Sequence, residues 1–385
     1  MSLSACRRKL QLSGRDQGPK ADLPWAVSRN LPGFRKPMPV DFHFAKGASF
    51  SCVSCGKCCS SGFEIPVQPE KAALIQSTQL HRELTKEGYQ PLAVLTESFH
   101  FLNYDQQGRC HYLRENRCAL HSEYGLDYKP VICQLYPFII VDTPAGYFVS
   151  LLFSCPSVVA GGGRSLAEQQ QEFQQLFDRH GGRVPTLPKV REHILITEYS
   201  TMTWRQYLAL EAQMLSRTER ADPVRFLLKC ACLVLEQDPD QFQLEAPSAL
   251  LEFAEMDLFP ELLACFRATI ESPDDPEAFL QQMLSAPEIA LPETASAREA
   301  VNRYIDNHLF GKLLLIGPSL VARLLLVAAA ISTLLEQTKV DGLPAAFALC
   351  EERFVAQSND LEPLLLEFET TLLETAADRG LAWSP

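Results

Sequence analysis

The stretch Cys52-Val53-Ser54-Cys55-Gly56-Lys57-Cys58-Cys59 holds four of the chain's thirteen cysteines within eight residues. Two residues between Cys52 and Cys55 let the backbone fold around one metal ion and present both sulfurs to it, so this spacing recurs in zinc and iron–sulfur sites. Gly56 suits such a loop, because glycine permits backbone turns that other residues avoid. Cys58 and Cys59 are adjacent. We expect their side chains to diverge and to serve different sites, or one of them to remain a free thiol.

Four further cysteines follow this stretch, so that eight of the thirteen fall between positions 52 and 155. The additional four are Cys110, Cys118, Cys133 and Cys155. Cysteines can also be inert core residues, but a random scatter would not produce such clustering. We predict a primary metal site made of Cys52, Cys55, Cys58 and Cys155. The second site, or the support of the first, is predicted to consist of Cys59, Cys110, Cys118 and Cys133.

The residues leave the identity of the metal open. Zinc takes four tetrahedral ligands, and eight cysteines supply enough for two closed structural sites. A [4Fe–4S] cluster also takes four thiolates and adds electron transfer or substrate ligation. An iron–sulfur cluster is our first expectation and zinc the second. His111 and His121 lie close enough in sequence to complete a mixed site, although ordinary surface roles or support of the ligands suit them better.

Cysteines outside this cluster have a simpler interpretation. Cys6 is expected to be an exposed thiol in the N-terminal tail. Four others fall on apolar faces of predicted helices and are expected to be core residues, namely Cys230, Cys232, Cys265 and Cys350.

The pattern of apolar residues predicts a mainly α protein, with a small irregular α+β cysteine-cluster domain packed on a larger helical domain. We divide the chain into a basic irregular segment (1–49), a cysteine-cluster domain (50–160) and a helical domain (161–385). Phe138–Val141 and Tyr147–Phe153 are predicted to be strands that flank a turn. Further predicted elements are helices at Pro69–Glu87, Ser165–Phe177, Met202–Arg217, Pro223–Glu236, Glu261–Ile270, Pro276–Ser285, Ala295–His308, Ser319–Glu336, Leu343–Ala356 and Leu361–Asp378.

Charge and hydropathy limit the partners of the 385-residue chain, whose net charge is −12. Residues 1–50 carry a net charge of +6, and residues 161–385 carry −16. Such an acidic body argues against general nucleic-acid binding, which needs clustered Lys and Arg. The N-terminus has no apolar run of signal-peptide length. The most apolar stretch, Leu313–Leu335, is interrupted by Gly317-Pro318 and Arg323 and is interpreted as a buried helix. We therefore expect a cytoplasmic protein without a membrane partner, and in that reducing compartment cysteines are ligands more often than disulfides.

Several blocks of the chain appear together in one known family. Cys52-x-x-Cys55-Gly56-x-Cys58-Cys59, Cys110-x-x-Leu113, Cys118 and Lys129-Pro130-x-x-Cys133-x-x-Tyr136-Pro137-Phe138 occur in this order. In these blocks the chain resembles the YkgJ-type cysteine-cluster (CxxCxxCC) family, which is described as zinc- or iron-chelating. The family's usual Arg-Pro is Lys129-Pro130 here. The resemblance covers roughly residues 50–140 and implies a cysteine-ligated zinc or iron site.

A wider resemblance involves the flagellin lysine N-methylases, which share this cysteine domain. Leu151–Pro156, which ends in Ser154-Cys155-Pro156, and the helical segment Ala300–Phe310 are similar to segments of those enzymes. This resemblance implies transfer of a methyl group from S-adenosylmethionine to lysines of a protein partner, aided by an iron–sulfur cluster. The chain has neither G-x-G-x-x-G after a strand nor the radical signature C-x-x-x-C-x-x-C. Gly161-Gly162-Gly163 follows a predicted strand and is interpreted as a hinge.

Two classes of function follow from these observations. The first is a cysteine-cluster metalloprotein that binds an iron–sulfur cluster or zinc, for which methylation of protein lysines is a candidate activity. The alternative is a non-catalytic module in which zinc staples the fold and the helices bind a protein partner. Asp127, Tyr128, Lys129 and Tyr136 lie near the cysteines in sequence, where they could orient a substrate amine, tune the thiolates or simply pack beneath the site.

Overall fold

A computed structural model describes residues 41–378, except 61–63, 97–98, 181, 183, 219, 261, 265–293 and 357. Most of the predicted basic segment 1–49, the two cysteines at positions 6 and 265, and almost all of the two helices predicted over 261–285 therefore lie outside the described residues. The described chain is mainly α-helical with small sheets, which confirms the predicted fold class.

The cysteine-rich half combines short strands with short helices. A three-stranded sheet has the order β1-β9-β8, with β1 (Phe42–Phe44) parallel to β9 (Gly146–Leu151) and β8 (Phe138–Thr143) antiparallel to it. This β8–β9 hairpin confirms the two predicted strands. The other strands form a sheet of order β3-β5-β4 and three two-stranded ladders: β2 (Ser49–Phe50), β3 (Pro66–Val67), β4 (Leu92–Thr96), β5 (Phe99–Leu102), β6 (Leu113–Arg114), β7 (Arg117–Cys118), β10 (Arg164–Ser165), β11 (His193–Leu195) and β12 (Thr201–Thr203).

In the described residues before Gly161, five helices of five to eight residues separate the strands. They are α1 (Pro69–Gln76), α2 (Gln79–Lys86), α3 (Ala119–Tyr124), α4 (Val131–Leu135) and α5 (Pro156–Ala160). The helical segment predicted around Pro69–Glu87 is confirmed, but it is divided into two helices. Thr78 adopts an extended backbone between α1 and α2, and its hydroxyl caps the second helix by accepting a hydrogen bond from the His81 amide.

Longer helices make up the C-terminal half. They are α6 (Gln170–Arg179), α7 (Trp204–Leu215), α8 (Pro223–Glu236), α9 (Ala249–Phe253), α10 (Ala295–Phe310), α11 (Leu320–Asp341), α12 (Leu343–Cys350) and α13 (Ser358–Asp378). Except for α9, which was not predicted, these elements overlap the predicted helices, and α8 matches its predicted bounds. The helix predicted over Ser165–Phe177 begins later than expected, because Ser165 belongs to β10 and α6 starts only after a short 3-10 turn at Ala167–Gln169.

Among the described residues, two of the three hydrophobic clusters include or contact cysteines. The larger one contains most of the buried apolar residues of the C-terminal helices and also Phe50, Phe148, Phe153 and Cys155 from the cysteine-rich part. The smaller one lies within residues 65–120 and packs against Cys59, Cys118 and Cys133. Residues on both sides of Gly161 thus share the larger cluster, whereas the position of the predicted domain boundary stays a prediction.

The apolar stretch that was predicted to be a buried helix forms α11. Within the described part of the chain, its segment Leu320–Lys339 is the one helix with the length and composition to cross a membrane, and 83% of its most apolar window is buried inside the protein. The burial confirms the interpretation as a core helix. The cytoplasmic location stays a prediction.

Candidate metal centre

Cys58 and Cys59 lie together on a 3-10 turn, Lys57–Cys59. Gly56 precedes the turn with a φ of +74°, and a Cβ at Gly56 would lie 3.2 Å from the Cα atom of Asn116. The Sγ atoms of Cys58 and Cys59 are 3.9 Å apart. The predicted divergence of the two side chains is therefore wrong: successive side chains alternate on a strand, but a tight turn keeps both on one side.

Three more cysteines lie around this pair. The amide of Cys110 donates to the Cys59 carbonyl oxygen over 2.7 Å, which ties the two segments together. Cys118 ends the β6–β7 hairpin and precedes α3, while Cys133 is in the first turn of α4. We call Cys58, Cys59, Cys110, Cys118 and Cys133 the inner cysteine group. It thus contains the predicted second set and, in addition, Cys58, which was predicted to be in the primary set.

The remaining predicted ligands form what we call the outer cysteine group: Cys52, Cys55 and Cys155. Cys52 and Cys55 are exposed, whereas Cys155 is buried at the N-cap of α5. Gly163 brings the two segments together, because it packs against Phe50 and Ser51 just before Cys52. The Arg164 amide also donates to the Ser51 hydroxyl over 3.0 Å.

The electrostatics of the inner group reflect crowded thiols. The hydrogen bond with Cys59 lowers the pKa of Cys58 to about 6; burial opposes this, and the positive charge of Lys129 assists it. The same hydrogen bond, together with burial, raises the pKa of Cys59 far above its ordinary value. Burial raises the pKa of Cys110 to about 12 and also raises that of Cys133. Several thiolates at once would therefore need a cation to neutralise them, and metal binding provides that compensation as it releases their protons.

Tyrosines line both groups and were not singled out for this role from the sequence, apart from Tyr136. Burial raises the pKa of Tyr104, and the charges of Cys110 and Cys133 add to the effect. The Tyr136 hydroxyl lies 3.4 Å from Ser154 Oγ, and its pKa is raised by burial and by the charges of Cys155 and Cys58. Tyr136 thus lies between the outer group and Cys58. Its ring also packs against the larger hydrophobic cluster, as predicted for a residue beneath the site.

The spacing of Cys58 and Cys59 tests whether these residues fit a metal ion. Two sulfurs about 2.3 Å from one tetrahedral ion lie about 3.8 Å apart, which agrees with the 3.9 Å observed. In the described residues, no three Cys, His, Asp or Glu side chains already surround a common point. The other thiols of the inner group therefore have to rotate to complete a coordination sphere around this pair. The pair fits zinc or iron as two ligands of one ion.

Cysteines of the helical half behave as predicted. Cys230, Cys232 and Cys350 are buried in helices, and Cys350 Sγ donates to the Ala330 carbonyl oxygen over 3.3 Å. The two histidines take different positions: His111 lies 5.1 Å from the ring of the exposed Tyr89, while His121 is on α3. A mixed site that includes either histidine stays a prediction.

Comparison with known proteins agrees with this geometry. Residues 51–162 match the CxxCxxCC family model, which describes a zinc- or iron-chelating domain. This match supports metal binding by the region that contains both cysteine groups, and it confirms the resemblance to the cysteine-cluster family. It covers less than a third of the chain.

One curated relative matches part of the chain. It is an uncharacterised protein of Methanocaldococcus jannaschii, 28% identical over 103 residues, which are 26% of this chain and 34% of the relative. The chain thus spans about a third of that relative's length. No solved structure matches the chain significantly. None of these matches supports the wider resemblance to flagellin lysine N-methylases, which stays a prediction.

Proposed function

We propose that this protein binds zinc or iron through its cysteines, and that the inner cysteine group holds a structural metal ion. The 3.9 Å separation of Cys58 Sγ and Cys59 Sγ carries the proposal, because it suits two ligands of one tetrahedral ion. Two of the other three inner cysteines would complete the ion's ligands. The family match to a zinc- or iron-chelating domain supports the same conclusion.

Burial favours a structural role for this ion. Cys110 is buried, and Cys59, Cys118 and Cys133 are half-buried against the smaller hydrophobic cluster. A closed set of thiolates within a small core is typical of structural metal sites, which contribute folding free energy directly. This arrangement corresponds to the alternative function predicted from the sequence, a non-catalytic module whose fold is stabilised by a bound metal ion.

The same separation bears on the choice between one ion and an iron–sulfur cluster. In a cluster each thiolate binds a different iron atom, which holds the ligand sulfurs farther apart than on a single ion. The geometry of Cys58 and Cys59 therefore favours a mononuclear zinc or iron ion over the [4Fe–4S] cluster of our first expectation. Cys59 with its pKa raised by the shared hydrogen bond would lose its proton when the ion binds.

A direct measurement tests the proposal. The full chain is purified without oxygen, and zinc, iron and acid-labile sulfide are quantified per chain alongside a visible spectrum. We expect one or two zinc or iron ions and no sulfide. Sulfide equal to iron, with a broad band near ~400 nm, would replace the mononuclear site by an iron–sulfur cluster. If the purified protein stays metal-free after reconstitution with zinc or iron, the proposal is wrong.

A pair of matched variants assigns the metal to the cysteine groups. Cys59→Ser removes one thiol of the pair that carries the proposal, and Cys230→Ser removes a buried thiol from α8. We expect the first variant to lose metal and the second to retain it. Equal metal contents in the two variants would contradict binding by the inner group.

Methyl transfer from S-adenosylmethionine to lysines of a protein partner is a finer hypothesis. The resemblance of Leu151–Pro156 and Ala300–Phe310 to flagellin lysine N-methylases is its only support. An increase in the melting temperature on adding S-adenosylmethionine would show that the protein binds this cofactor and would support the methyl-transfer hypothesis.

A further inference from the structure

The backbone that leads to Cys155 is held by a helix far away in sequence. At Leu151, the last residue of β9, the side chain of Asn307 on α10 makes two hydrogen bonds. Asn307 Oδ1 accepts from the Leu151 amide over 2.8 Å, and Asn307 Nδ2 donates to the Leu151 carbonyl oxygen over 2.9 Å. One side chain thus satisfies both polar groups of this peptide segment.

The ends of the strands that flank β9 explain why the Leu151 backbone bonds to a side chain. On one side of β9, β8 continues to Leu151 through the pair Phe138–Leu151. On the other side, β1 ends opposite Val149. The Leu151 backbone would therefore be left without a partner on the side where β1 has ended, and buried backbone groups need one. The amide of Asn307 replaces the missing strand.

Other residues of the helical half hold the chain on either side of Cys155. The ring of Phe153 lies 5.1 Å from the ring of Tyr304 on α10 and 5.1 Å from that of Phe347 on α12. After Cys155, Arg303 Nη2 donates to the Val159 carbonyl oxygen over 2.7 Å. Arg303 and Tyr304 precede Asn307 by four and three residues, so one face of α10 makes all of these contacts.

We propose that Asn307 is a positioning residue for Cys155 as a metal ligand: its two hydrogen bonds to Leu151 fix the strand end from which the Cys155 segment departs. The helical half then determines where one thiolate of the outer group stands. This inference rests on the proposed function and adds Cys155 to the metal centre. Coupling of this kind is reciprocal, so a metal ion held by Cys155 also stabilises the packing of α10 on β9.

Cobalt(II) in place of the native metal makes the number of bound thiolates visible, because each thiolate–cobalt bond adds to a charge-transfer absorption. We would compare the full-length wild type with Cys155→Ser, Asn307→Leu and Asn302→Leu. Asn302 is the matched control: it is a half-buried asparagine on the same helix, and it contacts Arg220 instead of β9. Circular dichroism and a melting temperature establish that each variant is folded.

We expect Cys155→Ser and Asn307→Leu to lose the same share of the charge-transfer absorption, while Asn302→Leu keeps the wild-type spectrum. Asn307→Asp retains the acceptor for the Leu151 amide but loses the donor, so its spectrum should fall between those of Asn307→Leu and the wild type. It also serves as the test variant if Asn307→Leu does not fold.

The outcomes separate this inference from the proposed function. A wild-type spectrum for Asn307→Leu and Asn307→Asp beside a reduced one for Cys155→Ser would show that Asn307 does not position Cys155. A wild-type spectrum for Cys155→Ser would remove Cys155 from the metal centre and overturn the inference, while the inner group keeps its ion. Absence of thiolate–cobalt absorption in the wild type would overturn the proposed function itself.

Discussion

Lys312 is a fully buried lysine at the junction between β9 and the helical half. Its Nζ atom lies 2.6 Å from both carboxylate oxygens of Glu211. Burial lowers the pKa of Lys312 and raises that of Glu211, whereas the attraction between the two groups opposes both shifts. Four aromatic rings surround the ammonium group within 4.1–5.8 Å and add cation–π attraction: Phe148, Trp204, Tyr207 and Phe310.

Removing one partner of this pair should destabilise the protein strongly. Lys312→Met leaves the Glu211 carboxylate buried without its cation, and we expect a loss of roughly 3–5 kcal/mol in the free energy of unfolding. The double variant Lys312→Met/Glu211→Leu replaces both charges by apolar groups and should regain most of this loss. Urea unfolding measures both values. A double variant no more stable than Lys312→Met would contradict the buried-charge argument.

Glu351 is a second buried ionisable residue, and its titration should make the free energy of unfolding depend on pH. Burial raises the pKa of Glu351 to about 8, although its carboxylate accepts a hydrogen bond from the Phe153 amide. The folded pKa is above the unfolded one, so this group's contribution to stability is complete below pH ~4.5 and is lost as the pH rises through about 8.

Glu351→Gln keeps the size of the side chain but removes the titration. We expect the variant to gain stability over the wild type as the pH rises from about 4.5 to 8, reaching a few kcal/mol at the upper end. The matched control is Glu352→Gln, which removes a carboxylate from an exposed position next to it. Urea unfolding at several pH values gives the difference between each variant and the wild type. A difference for Glu351→Gln that stays constant with pH would refute the raised pKa.

At the scale of elements, the three glycines after α5 do more than the predicted hinge. Gly161, Gly162 and Gly163 all have positive φ angles, of 71°, 92° and 98°. A Cβ at Gly163 would lie 2.6 Å from the Ser51 amide nitrogen, whereas a Cβ at Gly162 would have open space within 4 Å. Gly163 therefore allows a close contact between the segment after Cys155 and the segment before Cys52.

Gly162 and Gly163 form a matched pair for a test of the outer group. Gly162→Ala and Gly163→Ala both place a side chain in left-handed backbone, at a cost of about 1–2 kcal/mol each. Only Gly163→Ala also pushes against the backbone of Ser51, so we expect it to lower metal affinity at the outer group beyond Gly162→Ala. Competition with a chelator measures the affinity. Equal affinities in the two variants would show that the contact does not position Cys52 and Cys55.

Local patterns explain which elements the sequence predicts well. Strands β8 and β9 are short apolar runs on either side of a turn, and α8 has apolar residues at helical spacing; the structure confirms both. Contacts across long separations leave no such pattern. Asn307 and Leu151 are 156 positions apart, so their two hydrogen bonds are visible only in the folded chain. The convergence of Cys58 and Cys59 depends on a three-residue turn, whose side-chain directions the sequence does not specify.

At the scale of the whole molecule, buried apolar residues are divided unevenly between the larger and the smaller hydrophobic cluster. The larger hydrophobic cluster contains the long helices α8, α10 and α11, which need no metal to bury their side chains. The smaller cluster contains twelve buried residues, and the inner cysteine group packs along it. A core of this size supplies little stability by itself, so small domains commonly need a metal ion or disulfides. We infer that the metal stabilises the smaller cluster far more than the larger one.

Removal of the metal should therefore unfold one part of the protein first. After treatment with a strong chelator, we expect amide hydrogen exchange to accelerate in α1, α2 and α3, which carry Ile75, Leu80 and Leu120 of the smaller cluster. The segment 321–335 of α11 is the internal control and should stay protected. Mass spectrometry of the peptides follows both regions in one sample, and added zinc should restore protection. If α11 lost protection together with α1, the metal would stabilise the molecule as one unit, and if neither changed, the inner group would have no structural role.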